Sequence, residues 1–327
     1  MDENNVTRIS IIYLLGFTIP QSIKCFVFFL FLMIYCVTVG GNLLIIALVI
    51  NSRALQTPMY FFLSQLSTTD ILLVTNILPN VLRNILLKEK TISFTDCLSQ
   101  FYFFAMSEGM ECFLLSVMSY DRYLAICKPL HYTLMMTHQF CWTAVIICWV
   151  LIMLIVMIIT LTVTKLKFCG PNIIDHFFCD FDPILELSCS DITKVQLEVT
   201  LINAVFVVIP FFFIIASYTY IIVTIFKIQS VTGRKKAFST CSSHLIVVSM
   251  YYGTLLCAYL VPKGQTLKTT KFMSLLYTVF TPLINPLVYS LRNKDLKQAA
   301  GKLIGQLKSA VNKILLHWKP CKLLKQA

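Results

Sequence analysis

Seven apolar runs dominate the chain, at Cys25–Ile50, Met59–Leu86, Cys97–Ala125, Phe140–Val163, Gln196–Phe226, Phe238–Val261 and Phe272–Leu291. Each is long enough to cross a hydrocarbon layer of ~30 Å, which takes about 20 residues of helix. Only a helix closes all its backbone hydrogen bonds within one segment in that medium. The expected fold is therefore an all-α membrane protein, a seven-transmembrane helix bundle. A soluble core is excluded, because 57% of the residues are hydrophobic and only 13% are charged, against about 25% charged in ordinary soluble domains. No repeat or second domain interrupts the pattern. Residues 1–24 read as an extracellular amino-terminal segment, 25–291 as the bundle, and 292–327 as a basic cytoplasmic tail.

The amino end, MDENNVTRISIIYLLGF, lacks the basic start and small-residue cleavage site of a signal peptide, so the first run is expected to act as an uncleaved anchor. Asn5 begins an Asn-Val-Thr glycosylation acceptor, which matters if that end reaches the lumen. With the amino end outside, the inner loops carry seven Lys/Arg and the stretch from Arg292 nine more, against eleven outside. The tail, not the loops, satisfies the positive-inside rule. Counting acids as well, the inner side totals +14 and the rest of the chain, its membrane-depth carboxylates included, −2. That balance suits an anionic inner leaflet and a cytosolic partner. No compact basic domain is present to grip nucleic acid.

Four of the 13 cysteines, Cys97, Cys169, Cys179 and Cys189, fall on the outer side. An even number in an oxidising compartment reads as two disulfides, whose pairing spacing alone does not decide. A zinc site of His176 with Cys179 and Cys189 is the rival, although the spacing matches no usual finger. Cys112, Cys148 and Cys257 are expected to pack as small apolar residues.

Ionisable residues at membrane depth are costly and therefore point to function. Asp70 lies eleven residues beyond Met59, and Glu111 eleven before Arg122. At about 1.5 Å per residue, both sit roughly 16 Å from the inner face, near the midplane. Two carboxylates at one depth repel unless a proton or cation lies between them. With Asn285 and Ser116 nearby, they are expected to hold a sodium ion or a proton, sodium being the one candidate cofactor. The alternative is a protonated carboxyl bonded across helices. Glu108, one turn further out, is expected either to hold a cation or donor in a ligand cavity or to face a neighbouring helix as a neutral acid. Asp121 and Arg122 stand where the third run leaves the membrane, so Arg122 is expected to snorkel to water while Asp121 neutralises it. Such a pair can be a two-state latch or a static ion pair.

The stretch MSYDRYLAICKPLHY at Met118–Tyr132 resembles the hallmark of the olfactory (odorant) receptors, a branch of the rhodopsin-like G-protein-coupled receptors. Gly41-Asn42, LQTPMYFFLSQLS at Leu55–Ser67, KAFSTCSSHL at Lys236–Leu245 and PLINPLVYSLRNKD at Pro282–Asp295 resemble that family's other motifs. They occur in order, on the matching runs, from about Ile9 to Lys302. Gln56 stands where the family usually has His, Ser119 where Ala is common, and the tail runs past the usual family end.

The resemblance implies a receptor that binds a small-molecule odorant and activates a heterotrimeric G protein, of the stimulatory type that raises cyclic AMP. It assigns Asp121, Arg122 and Tyr123 to the G-protein latch, with Tyr218 and Tyr289 swinging in to support its open form. Ser239 and His244 would line the inner end of the moving sixth helix. Asn285 would join Asp70 and Glu111 in the internal ion site, and Pro286 would loosen the seventh helix. The implied disulfides are Cys97–Cys179 and Cys169–Cys189. By family position the odorant pocket lies among helices three, five, six and seven, with walls including Phe104, Ala105, Glu108, Gly109, Ile202 and Asn203. Phe206, Tyr252, Leu255, Leu256, Tyr259 and Thr278 complete them. So apolar a wall suits small, weakly polar ligands.

In the tail, Leu296, Leu303, Ile304, Leu307, Val311, Leu315 and Trp318 recur at three-and-four spacing among lysines. That pattern reads as an amphipathic helix on inner-leaflet lipid. Cys321 could be acylated, although no specific pattern supports it. A second copy of the chain is carried as a candidate partner. The alternative function is an ion- or proton-coupled transporter using Asp70, Glu108 and Glu111 as relay carboxylates, but the paired halves of such carriers are not visible here. No His pair, phosphate loop or Ser-His-Asp set stands in usable register, so no enzyme activity is expected.

Overall fold

Each apolar run becomes a helix, and local signals beyond the run set where it starts. In the computed structural model, which describes residues 10–87, 90–169, 171–260 and 267–317, α1 is Lys24–Asn51 and α2 is Pro58–Leu86. Pro58 opens α2 in the first turn, where its missing N–H was unpaired anyway. The third span, α3 (Phe94–Cys127), starts three residues before its apolar run because Ser93 caps it, its Oγ accepting from Asp96 N–H at 3.0 Å. A short α4 (Pro129–Met135) follows. Thr137 caps α5 (His138–Thr164), accepting from Phe140 N–H at 3.1 Å. The long loop carries α6 (Phe181–Leu185).

The fifth span, Thr193–Lys227, comprises α7 (Thr193–Asn203), a π turn at Ala204–Val208 and α8 (Ile209–Lys227). The sixth is α9 (Val231–Leu260). The seventh comprises α10 (Leu267–Leu275), a π turn at Leu276–Phe280 and α11 (Thr281–Arg292). Among the described residues, six helices are long and apolar enough to cross a membrane. The sixth span completes the seven, its first turns diluted by Arg234, Lys235 and Lys236.

The spans form one bundle. α1 packs on α2 and α11, α2 on α3, and α3 on α5, α8 and α9, while α9 meets α11. The first and seventh spans approach closely at Gly41, where a Cβ would stand 3.3 Å from Pro286. Beside it, Asn42 Nδ2 donates to Pro282 O at 3.2 Å. Two apolar layers fill the bundle, one around Leu63, Leu114, Met118 and Val247 toward Asp121, the other around Ile77, Phe101, Phe177 and Phe178 toward the disulfides.

At the disulfide end lies a small sheet that periodicity did not predict: β1 (Ile11–Leu14) pairs antiparallel with β2 (Thr91–Ser93) and parallel with β3 (Ile173–Ile174). Ile12 and Leu14 point into the core. At the opposite end, α12 (Lys294–His317) follows α11. Leu296 and Ala299 are buried against the bundle while Ile304 and Val311 are exposed, in keeping with the amphipathic pattern. Asn5, Trp318 and Cys321 lie outside the described residues.

Candidate functional site

Three polar constellations run along the third span. The first is a lid over the disulfide end. Cys97–Cys179 ties the long loop to the top of α3, and Cys169–Cys189 closes the loop on itself. With both cysteines oxidised, the zinc alternative at His176 falls away. Gln100 Oε1 accepts from Cys179 N–H at 2.9 Å, so the loop lies down on α3. The seventh span holds its other side. Lys271 pairs with Asp175 and donates to Gly16 O at 2.8 Å. His176 is buried, with Nδ1 at 3.2 Å from Phe178 O and Nε2 at 3.3 Å from Ser274 Oγ. Phe178 N–H also approaches Nδ1, at 3.5 Å, so one residue backs this nitrogen with both its carbonyl and its amide. Burial pushes this imidazole down from 6.5 to about 4. Burial likewise pushes Asp180 up from 3.8 to about 6, and its carboxylate accepts from Tyr277 OH at 3.5 Å.

The second constellation is the mid-bundle column. Asp70, Glu111 and Asn285 come together as their depths indicated. Asn285 Nδ2 donates to Asp70 Oδ1 at 3.1 Å and Oδ2 at 3.2 Å, and to Glu111 Oε1 at 3.4 Å. Both carboxyls are fully buried, and Glu111 Oε2 has no partner among the described residues. One amide cannot satisfy two carboxylates. Ser116 is not part of this set, because its hydroxyl is turned back to Cys112 O at 2.9 Å. One turn away, Glu108 Oε2 accepts from Tyr251 OH at 2.9 Å, which joins the third span to the sixth. The same hydroxyl lies 3.1 Å from Cys112 Sγ, so Cys112 is part of a polar contact as well as packing. Cys257 is exposed on the bundle surface, contrary to the packing expectation.

The third constellation is at the far end of α3. Arg122 Nη2 lies 2.7 Å from Asp121 Oδ2. Tyr132 OH, from α4, donates to Asp121 Oδ1 at 2.8 Å. Asp121 is 0% and Arg122 8% exposed. The expectation that Arg122 snorkels to water is therefore corrected: the pair is folded inward under Tyr132. Burial and the adjacent Asp121 carboxylate hold the Tyr132 hydroxyl well above its usual range, so it stays a donor. Nearby, Tyr218 OH and His244 Nδ1 are 2.6 Å apart with stacked rings. The Tyr289 hydroxyl is buried without a hydrogen-bond partner among the described residues. Tyr123 is half-buried with its ring 6.1 Å from Tyr220, and Ser239 is exposed on α9.

The pocket residues separate into groups. Phe104 meets Phe178 of the lid at 4.9 Å, and Thr278 is buried with its hydroxyl donating to Ser274 O at 2.7 Å. Ala105 bridges both apolar layers, Ile202 packs in the lid-side layer, and Leu255 packs in the other. The Tyr252 ring packs at a tilt against Phe211, 4.9 Å between centroids. Asn203 is half-buried at the π turn of the fifth span. Gly109 and Phe206 instead line a cavity of about 240 Å³ shared by the third, fourth and fifth spans. A Cβ on Gly109 would stand 3.2 Å from Ile152 of α5. Leu256 is exposed and apart from the others, and the Tyr259 side chain lies outside the described residues.

A family model described as olfactory receptor matches residues 31–307. The chain belongs to the olfactory receptor family. The receptor is 45% identical over 303 residues to olfactory receptor 10A7 of Homo sapiens, covering 92% of this chain and 96% of that protein. It is also 45% identical over 301 residues to olfactory receptor 1468 of Rattus norvegicus, covering 91% and 96%. The fold is like that in the crystal structure of squid rhodopsin, with a TM-score of 0.71 at 16% identity over 89% of this chain and 88% of that one. It is thus a multi-pass membrane receptor of the G-protein-coupled class and not an enzyme. A small-molecule ligand and a G protein are the partners that class implies.

Residue-type reasoning missed Tyr132, Tyr251, Gln100 and the Lys271–Asp175 pair. Tyr132 closes the very stretch that carries the family hallmark. Tyr251 adjoins the assigned Tyr252, and only its helical phase separates the two.

Proposed function

We propose that this odorant receptor takes small, mostly apolar molecules among the third, fifth, sixth and seventh spans. In this reading the lid faces outside, the Asp121 end faces the cytosol, and a stimulatory G protein that raises cyclic AMP docks there. The observation that carries the reading is the Tyr251–Glu108 hydrogen bond, 2.9 Å long and midway between lid and latch. A ligand that donates to Glu108 competes with Tyr251 and frees the sixth span from the third. A ligand that binds the freed form better shifts the equilibrium toward it. Glu108 thereby favours amines and other hydrogen-bond donors. The Asp70–Glu111 pair is proposed to balance its charge with a sodium ion, for which the two carboxylates supply hard oxygens, and Asn285, whose Nδ2 now donates to both, would have to turn its amide oxygen inward to join them.

The test is a ligand panel in a cyclic AMP reporter, comparing wild type with Glu108→Gln and Tyr251→Phe. Glu108→Gln is expected to depress responses to amines about tenfold or more while sparing neutral apolar ligands. An unchanged preference order removes the role of Glu108. Full agonist response from Arg122→Ala at normal surface amounts removes the latch.

A further inference from the structure

The amino-terminal segment, the start of α1 and the end of α2 enclose a cavity of about 280 Å³, away from every odorant-wall residue named above. Its walls divide by chemistry. Phe17, Ile19, Val81 and Ile85 make one part apolar, backed by Phe177, whose ring stacks on Phe17 at 5.1 Å. Lys24, Lys90 and Asn84 make the other part polar. Both lysines are half-buried. Lys24 Nζ reaches Leu86 O at 3.4 Å, and Lys90 Nζ donates to Leu15 O. Neither ammonium has a carboxylate partner among the described residues, whose ion pairs are Asp121–Arg122 and Asp175–Lys271. The buried Oδ1 of Asn84 also has no hydrogen-bond partner there.

Two ammonium groups on the wall of one cavity without a counter-charge set up a positive potential that costs free energy. An anion between them would relieve that cost, and the adjoining apolar wall calls for a chain on the anion. The volume falls just under that of drug-sized ligand sites, about 300–1,000 Å³, and so suits a small molecule. We propose that this cavity is a second ligand site, taking a small amphipathic anion of the medium-chain carboxylate class. The head sits at Lys24 and Lys90 and the chain lies on Phe17 and Ile85. The same chemistry is offered by a free carboxylate in solution or by an anionic lipid of the surrounding bilayer.

The probe is octanoic acid carrying a terminal diazirine, photolysed on the full-length receptor in phosphatidylcholine nanodiscs and mapped by peptide mass spectrometry. Saturable labelling is expected in residues 15–24 and 81–87, displaced by octanoate and not by octan-1-ol. Lys24→Gln and Lys90→Gln should each weaken it about tenfold, while the Lys24→Arg/Lys90→Arg pair retains it. Val81→Trp, which fills the cavity without touching a charge, should abolish it. Adding phosphatidylserine displaces the probe if the bilayer supplies the anion and leaves labelling unchanged if solution does. Labelling confined to other spans, equal displacement by octan-1-ol, or undiminished labelling in both the Gln variants and Val81→Trp overturns the proposal.

Discussion

Tyr132→Phe isolates the latch from everything above it. The substitution removes one hydroxyl, which donates to Asp121 Oδ1 at 2.8 Å, and leaves the ring in place. A hydrogen bond to a charged group contributes about 1.5–3 kcal/mol. Tyr132 is half-buried, so the lower figure applies, and about 1.4 kcal/mol is tenfold in an equilibrium constant. Asp121 is fully buried, and after the change one of its oxygens faces an apolar ring edge. If the closed form alone makes this bond, Tyr132→Phe raises the open fraction about tenfold without any ligand. The assay is basal cyclic AMP output per receptor at the surface, with surface amounts matched by an amino-terminal epitope tag. Asp121→Asn, which weakens the ion pair itself, should raise it further. Basal output equal to wild type at matched surface amounts would refute the reasoning, because the bond would then be made equally in both forms.

The remaining predictions concern the column and the lid. Exchanging sodium for choline should lower the melting temperature of the purified receptor, and Asp70→Asn or Glu111→Gln should erase the difference. A wild-type melting temperature indifferent to sodium sinks the ion site. The lid should show two opposed pH effects. Asp180 is raised to about 6, so its contribution to lid docking is greatest when protonated and declines as pH rises from about 4 through 6. His176 is lowered to about 4, so its contribution is present above about 6.5 and is lost as pH falls toward 4. The wild-type lid should therefore show little net slope between pH 4 and 6. Asp180→Asn should loosen with acid, and His176→Gln should tighten, read by hydrogen exchange across residues 171–192. Parallel slopes in both variants would contradict the assignment.

The spans were legible because the bilayer leaves a chain so little choice: seven apolar runs have to become seven helices. Their ends were less legible, since Ser93 and Thr137 cap helices outside the apolar runs and α9 continues through Arg234 and Lys235 into water. Helical rise alone put Asp70 and Glu111 at one depth, and Asn285 does join them. Tyr251 was invisible because bonding Glu108 depends on how two helices rotate against each other. The inward turn of Arg122 depends on α4, whose seven residues carry no periodic signal. The sheet escaped for the same reason, with strands of four, three and two residues too short to establish alternation.

The centre strand of that sheet comes from the amino terminus, while its partners come from the loop between the second and third spans and from the long loop. During synthesis the earliest-made strand must wait until four spans are inserted before its second neighbour emerges. The rim of the receptor is therefore completed late, by a keystone that was cut first. A polar residue at Ile12 or Leu14 would loosen the sheet and leave the Cys97–Cys179 bridge to hold the long loop beside the start of α3.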